Sequence, residues 1–456
     1  MRYIAHTTPE RVSHDTHERK QYHTPLERII CEGLEFYRDM REHSPTFRIS
    51  LRMRDTVDGS ILQRAADAAL RRYPYYAVRC IAQDGAYFLA PCDAPFAVRR
   101  TQEPVPLCGE ESGGYLLAVS YWGHSMALDV FHGLTDGQGA MSFLRTLLYY
   151  YCREHYDSAL PSDGVRTNEN ATEELLAVEW DNPYERLMSG ELVMPSAEEV
   201  RIKAKWAPEK PALCLLEDSR VTRSAPVCYT LRIPEQTLMR YCRAQDGTPG
   251  VILSLLMSRA IDSLHPGNDR PIVAGMAMSL RRALGAPLYK GSALGLAMLP
   301  YTEWMRDKPF DQQAALYRSR LNLAADRQRL QAGIGASLPL YHMLEQTPTL
   351  EGKRRLVAQV LGRYADVTTF QFSYLGPSRL GAAESYVRGA SLVNDTVGNT
   401  LMLELMATAG YFCLTLSQEW QESLYFDALC RELSAQCIPY EVIGHGPVRL
   451  SPARLP

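Results

Sequence analysis

No stretch of this 456-residue chain is apolar for long enough to cross a bilayer. The longest apolar run, near Val251 to Met257, falls far short of the roughly 20 residues a spanning helix needs. The opening 23 residues, Met1 to His23, carry four histidines and several charges but no apolar core of a secretion signal. A cytoplasmic protein is therefore expected. Cysteine is present eleven times, an odd number, and never as CxxC. That excludes the usual zinc and dithiol spacings and leaves buried, reduced thiols as the expectation, with no metal site. Charge of one sign is also lacking. Lys and Arg number 49 against 52 Asp and Glu, and no basic run reaches five residues. Nucleic acid is not an expected partner. No GxSxG elbow occurs, which argues against a serine hydrolase of that type.

What is present is the composition of a globular protein, 46% hydrophobic and 22% charged, and enough chain for two or three domains. Residues 1–23 read as a polar N-terminal arm. A helix-like segment covers Pro25 to Met40. Phe47, Ile49, Leu51 and Met53 alternate with polar residues, which predicts a half-buried strand. Asp58 and Ser60 open a helix that Pro74 ends. Two further strands, Tyr115 to Val119 and Met126 to Val130, lead to a helix over 139–152. Residues 158–225 hold five prolines and little periodicity, and predict a linker or crossover. The second half restarts near Val227. It has a well-capped helix from Thr248-Pro249 to Leu264 and strands at Ile272 to Met278 and Thr368 to Tyr374. Helices are expected at 310–331 and 339–363, a hairpin across Ala409-Gly410, and a final helix at 422–436. The expected domains are thus the arm, an N-terminal lobe at 24–157, the crossover at 158–225 and a C-terminal lobe at 226–456. Both lobes are of α/β type.

Between an apolar strand and an apolar helix stands His132-Gly133-Leu134-Thr135-Asp136-Gly137. His132 is the side chain there whose ordinary pKa suits proton transfer near neutrality. The pattern HxxxDG is short enough to arise by chance, and its strand-to-helix setting is what gives it weight. Asp136 could orient His132 as in a hydrolase triad. Gly137 can adopt a positive φ and leave space beside the base. His124 lies eight residues earlier, on the same side of an unbroken strand. It is read as structural, because nothing supplies further metal ligands. The clusters Tyr73/Tyr75/Tyr76 and Tyr149 to Tyr151 are read as packing.

With this motif the chain resembles the chloramphenicol acetyltransferase-like superfamily, which includes condensation domains and alcohol acyltransferases. The strand and helix ending at Tyr73-Pro74, the strand Ala277-Met278-Ser279-Leu280-Arg281 and the stretch Phe372-Ser373-Tyr374-Leu375-Gly376 extend the likeness over nearly the whole chain. The resemblance implies an α+β sandwich of two lobes meeting in a V, with the active site in the channel between them. It also implies acyl transfer from a thioester to an alcohol or amine, with His132 as general base. Asp136 would then turn from His132 and brace the loop through a salt bridge to Arg281, or to the adjacent Arg282. Gly137 would keep the channel open, and Ser373 would be the oxyanion donor.

Phe131 stands where condensation domains carry a first histidine, and the DFGWG motif of the plant branch is missing. No carrier-protein or adenylation pattern accompanies the motif. The expected function is a stand-alone, monomeric acyltransferase. Its co-substrate would be a coenzyme A thioester or the phosphopantetheine thioester of an acyl carrier protein, and its acceptor a small molecule. The alternative is a non-catalytic module that binds a carrier protein or metabolite.

Overall fold

The computed structural model describes residues 26–38, 45–200, 210–365, 367–396 and 401–456. The polar arm at 1–23 lies outside them, as does 201–209 of the crossover.

The period-two alternation at 47–53 becomes the strand Thr46–Met53. It pairs antiparallel with Ser125–Phe131 on one side and Val387–Asn394 on the other, placing Ile49 opposite both Leu128 and Leu392. Leu117–Trp122 and the short Arg99–Arg100 complete a five-stranded sheet. One face is apolar and is covered by the helices Gly59–Arg72 and Gly137–His155, through Leu62, Ala65, Ala69, Phe143, Leu144 and Leu147. Asp58 caps the first of these by accepting from the backbone N–H groups of Ser60 and Ile61 at 2.8 and 3.1 Å.

The second half builds a seven-stranded sheet. Its order is Leu294–Tyr301, Ile272–Ser279, Phe370–Pro377, Leu401–Thr408, Tyr411–Trp420, Arg223–Pro234 and Glu441–Pro447. On one face Phe372, Leu403, Leu416 and Tyr229 fall side by side and pack on the helix Pro249–Leu264. That helix is apolar nearly all round because it also packs against Leu424–Ala435 and Phe310–Ala324. The other face carries the row Ser373, Glu404, Thr415 and Thr230. Across that face lies Val387–Asn394, the strand that belongs to the first sheet. The C-terminal stretch 226–456 thus lends a strand to the N-terminal lobe. Near the end of the chain, Leu107 also bridges Ala453.

Several elements differ from expectation. The helix expected at Pro25 to Met40 is a strand pair, Glu27–Arg28, followed by a 3-10 turn at Cys31–Tyr37 in which Gly33 leaves helical geometry. A small sheet, Glu27–Arg28 with Ala86–Pro91 and Val78–Gln83, was not expected. Its hairpin turns on Asp84-Gly85, both with positive φ, a sequence signal of the type I′ turn. The helices expected at 310–331 and 339–363 are three: Phe310–Ala324, Arg327–Gln346 and Leu350–Ala365. Asp326 starts the second by capping the Arg329 N–H, and Pro339 sits inside it instead of starting a helix. The crossover carries the helices Glu173–Trp180 and Pro183–Ser189. The first contributes a fully buried carboxylate, Glu179, to the N-terminal lobe.

Candidate active site

His132 is delivered by the end of the strand Ser125–Phe131, where the backbone leaves the sheet and its N–H donates to the Pro45 carbonyl at 2.7 Å. The ring is partly exposed and meets Phe47 edge-on at 5.1 Å. Its Nδ1 is buried, with no hydrogen-bond partner among the described residues. Phe131 is fully buried against Phe36, with ring centroids 4.7 Å apart. Gly133 is required beneath that pair, because a Cβ there would lie 2.5 Å from Phe36 Cε2.

Asp136 does not orient His132. It is the N-cap of Gly137–His155, and its Oδ1 accepts from the backbone N–H groups of Gln138 and Gly139 at 3.0 and 3.2 Å. Arg281 Nη2 donates to the same oxygen at 2.9 Å, Nη1 donates to Oδ2 at 2.6 Å, and the Ala293 N–H donates to Oδ2 at 3.0 Å. The guanidinium is itself held by the carbonyls of Tyr289 and Gly291. Burial alone would raise the Asp136 carboxyl, but the facing Arg281 outweighs it and holds the group below its ordinary value. Arg282, the alternative, is exposed.

Gly137 departs from the positive φ expected of it. As the first residue of the helix it keeps ordinary helical geometry, and it is absent from the residues with left-handed φ. The demand for glycine is steric: a Cβ would stand 2.3 Å from Leu375 Cδ2. His124 sits in the exposed turn at the far end of the motif strand. It is about 27 Å along the chain from His132 at roughly 3.4 Å per residue. Ser373 lies in the second sheet, opposite Glu404.

The sequence reading passed over two carboxyls. Glu35, on the 3-10 turn that carries Phe36, lies within electrostatic reach of His132 and accepts from Arg38 at 2.9 Å. Burial pushes the Glu35 carboxyl up, but Arg38 and His132 outweigh it and bring it below its ordinary value. Glu404 is 1% exposed, and neither of its oxygens completes a hydrogen bond among the described residues. Burial raises its pKa to about 8, against a smaller lowering from the Ser373 hydroxyl and the Asn394 side chain. Neither residue carries a motif, so only the packed chain could bring them forward. No group of three His, Cys, Asp or Glu among the described residues could hold a metal. No described helix is long and apolar enough to cross a membrane.

The sequence matches no family model, and no curated protein sequence matches it. Solved structures do match in shape along nearly the whole chain. The F. graminearum TRI101 structure complexed with coenzyme A and deoxynivalenol superposes with a TM-score of 0.60 at 14% identity, covering 92% of this chain and 100% of that one. The condensation domain of the Monacolin K polyketide synthase MokA gives 0.59 at 14% identity, covering 91% and 97%. Polyketide synthase associated protein 5 from Mycobacterium tuberculosis gives 0.57 at 15%, covering 90% and 98%. The chain has the chloramphenicol acetyltransferase-like fold. Identities this low carry the fold and not the reaction. Within the chloramphenicol acetyltransferase-like fold, HxxxDG here falls at a sheet end that joins the two lobes through the Asp136–Arg281 pair.

Proposed function

We propose that this chain is an acyltransferase with His132 as general base, moving an acyl group from a thioester to the hydroxyl or amine of a small acceptor. The observation that carries this reading is the division of labour inside HxxxDG. Asp136 is saturated by Arg281, Ala293 and the helix N-terminus, so it is not available as a triad acid. His132 is left partly exposed with no carboxylate bonded to it among the described residues. Such an imidazole suits direct proton abstraction, worth roughly 10²–10⁴-fold.

The neutral imidazole takes the proton of the acceptor O–H or N–H as its oxygen or nitrogen bonds to the thioester carbonyl carbon. The carbonyl π electrons move onto oxygen and form a tetrahedral oxyanion. When the oxyanion collapses, the C–S bond breaks and the imidazolium returns the proton to the departing thiolate. No acyl-enzyme forms. A donor aimed at the oxyanion would contribute about 3 kcal/mol. Ser373, on the lobe-facing row of the second sheet, is the proposed donor. Coenzyme A is the proposed donor scaffold, supported by the coenzyme A-bound TRI101 structure, with carrier-protein phosphopantetheine as the other form of the same arm. The enzyme is proposed to act as a monomer in the cytoplasm.

The test is thiol release from a panel of acyl-CoAs in the presence of mixed alcohols and amines. His132→Ala should keep the wild-type melting temperature and lose activity by roughly 10²-fold or more. If turnover survives the substitution, the assignment fails. A wild-type chain that binds carrier protein or metabolite but turns nothing over would instead be the non-catalytic module.

A further inference from the structure

Beside the first turns of Gly137–His155 lies a cleft of about 320 Å³, walled by that helix, the 287–290 loop and the 375–379 segment. Gln138, Ser142 and Arg145 face it from the helix, and Arg166 and Arg379 from the two flanking segments. Arg145 is half-buried, and its Nε donates to the Ser378 carbonyl at 2.8 Å instead of to a carboxylate. Arg166 shares its only printed carboxylate, Glu179, with the fully buried Arg72. Arg379 has no ion-pair partner among the described residues. Its backbone takes a left-handed φ of 48°, unusual for a side chain of this size. Ser378 anchors the strained residue by donating its N–H to the Ala407 carbonyl and its hydroxyl to Glu384.

One carboxylate, Glu179, therefore stands against the guanidiniums of Arg72, Arg145, Arg166 and Arg379. Burial and the two neighbouring arginines together push Arg145 below its ordinary pKa, as expected where like charges converge without an anion. The other cations at the cleft are already spent: Arg281 on Asp136 and Lys290 on Glu27. A single carboxylate ligand would leave most of this surplus in place, whereas a phosphate or diphosphate would neutralise it. Guanidiniums bind phosphate bidentately, and the N-terminus of a 19-residue helix adds a favourable field.

We propose that this cleft is a phosphate pocket, formed by Arg145, Arg166 and Arg379, that seats the phosphate-bearing arm of the thioester donor. The proposal rests on the acyl-transfer reading for the identity of the donor. Arg145 lies seven residues beyond Gln138, about 10 Å along the helix. A phosphate there would be held on the same rigid element that Asp136 caps. The arm would lie across the lobe junction, with Leu375 and Gly137 between pocket and base.

Titration calorimetry on the full chain, with coenzyme A, 4′-phosphopantetheine, pantetheine and inorganic pyrophosphate, tests this. Wild type and His132→Ala should bind coenzyme A equally. Arg379→Gln, at an exposed side chain that leaves the fold intact, should weaken coenzyme A at least tenfold and leave pantetheine unchanged. Arg145→Gln should do the same. Loss of 4′-phosphopantetheine in parallel places the pantetheine phosphate in the pocket. Loss confined to coenzyme A places the nucleotide phosphates there. If both arginine variants bind coenzyme A like wild type, the pocket is overturned while the His132 reading stands. If pyrophosphate binds through the arginines and coenzyme A does not bind at all, the donor assignment falls and the acyl-transfer reading falls with it.

Discussion

Asp136 and Arg281 meet almost without solvent, 0% and 4% exposed. Removing one partner strands the other charge, a change that typically costs about 3–5 kcal/mol. Asp136→Asn and Arg281→Gln should each lower the thermal midpoint sharply, and the double variant should lose less than the two single losses added. Additive losses would show that the pair is not coupled. Glu404 behaves in the opposite sense. Its carboxyl titrates at about 8 in the folded chain against 4.5 in the unfolded one. Between those values the folded state holds a proton that the unfolded state has lost, so stability falls as pH rises through the window. Glu404→Gln removes that dependence. Its stability advantage over wild type should grow by about 3 kcal/mol between pH 5 and pH 8, read from denaturant melts. An advantage that does not change with pH would mean the carboxyl is not held neutral. Motif residues such as His132 and Asp136 could be picked out from sequence because their spacing is local. Glu404 could not, because its surroundings come from the distant residues Ser373 and Asn394.

At the scale of elements, legibility followed the strength of local signals. Thr248 and Asp58 marked their helices correctly because an N-cap bonds to residues two or three along. The hairpin at Ala409-Gly410 formed as expected, with both residues at positive φ. The matching Asp84-Gly85 signal was overlooked because its flanking strands alternate weakly. The edge strand Glu441–Pro447 is exposed along most of its length, and so shows no core-facing pattern. The contact between the motif helix and the 370–377 strand gives a further prediction. Gly137→Val should displace Leu375 and cost activity more than stability, because a flexible side chain can move but the space beside His132 is then lost. Pairing it with Leu375→Ala should restore turnover. If the double variant stays as impaired as Gly137→Val alone, the steric account is wrong.

Across the whole molecule, the two sheets are tied by a strand that the chain order assigns to one and the hydrogen bonds to the other. Val387–Asn394 pairs with Thr46–Met53 and lies over Leu401–Thr408 and Tyr411–Trp420. Arg281 adds a second tie, reaching from the end of the second sheet into the N-cap of the motif helix. With these links the lobes should unfold together. Far-UV circular dichroism and tryptophan fluorescence, from Trp122 and Trp180 on one side and Trp420 on the other, should report one coincident transition. Two separate transitions would show that each lobe stands alone.

The sequence by itself determined the alternation that makes Thr46–Met53 a strand, the caps that start its helices and the HxxxDG pattern at a strand-to-helix junction. These rest on neighbours within a few residues, and local chemistry is enough to set them. Tertiary structure alone decided that Asp136 belongs to Arg281, 145 positions away, and not to His132. It decided that Gly137 is needed for space and not for backbone freedom, and that Arg145, Arg166 and Arg379 converge on one cleft. Those outcomes depend on which distant surfaces are pressed together when the apolar faces are buried. No spacing along the chain encodes that geometry.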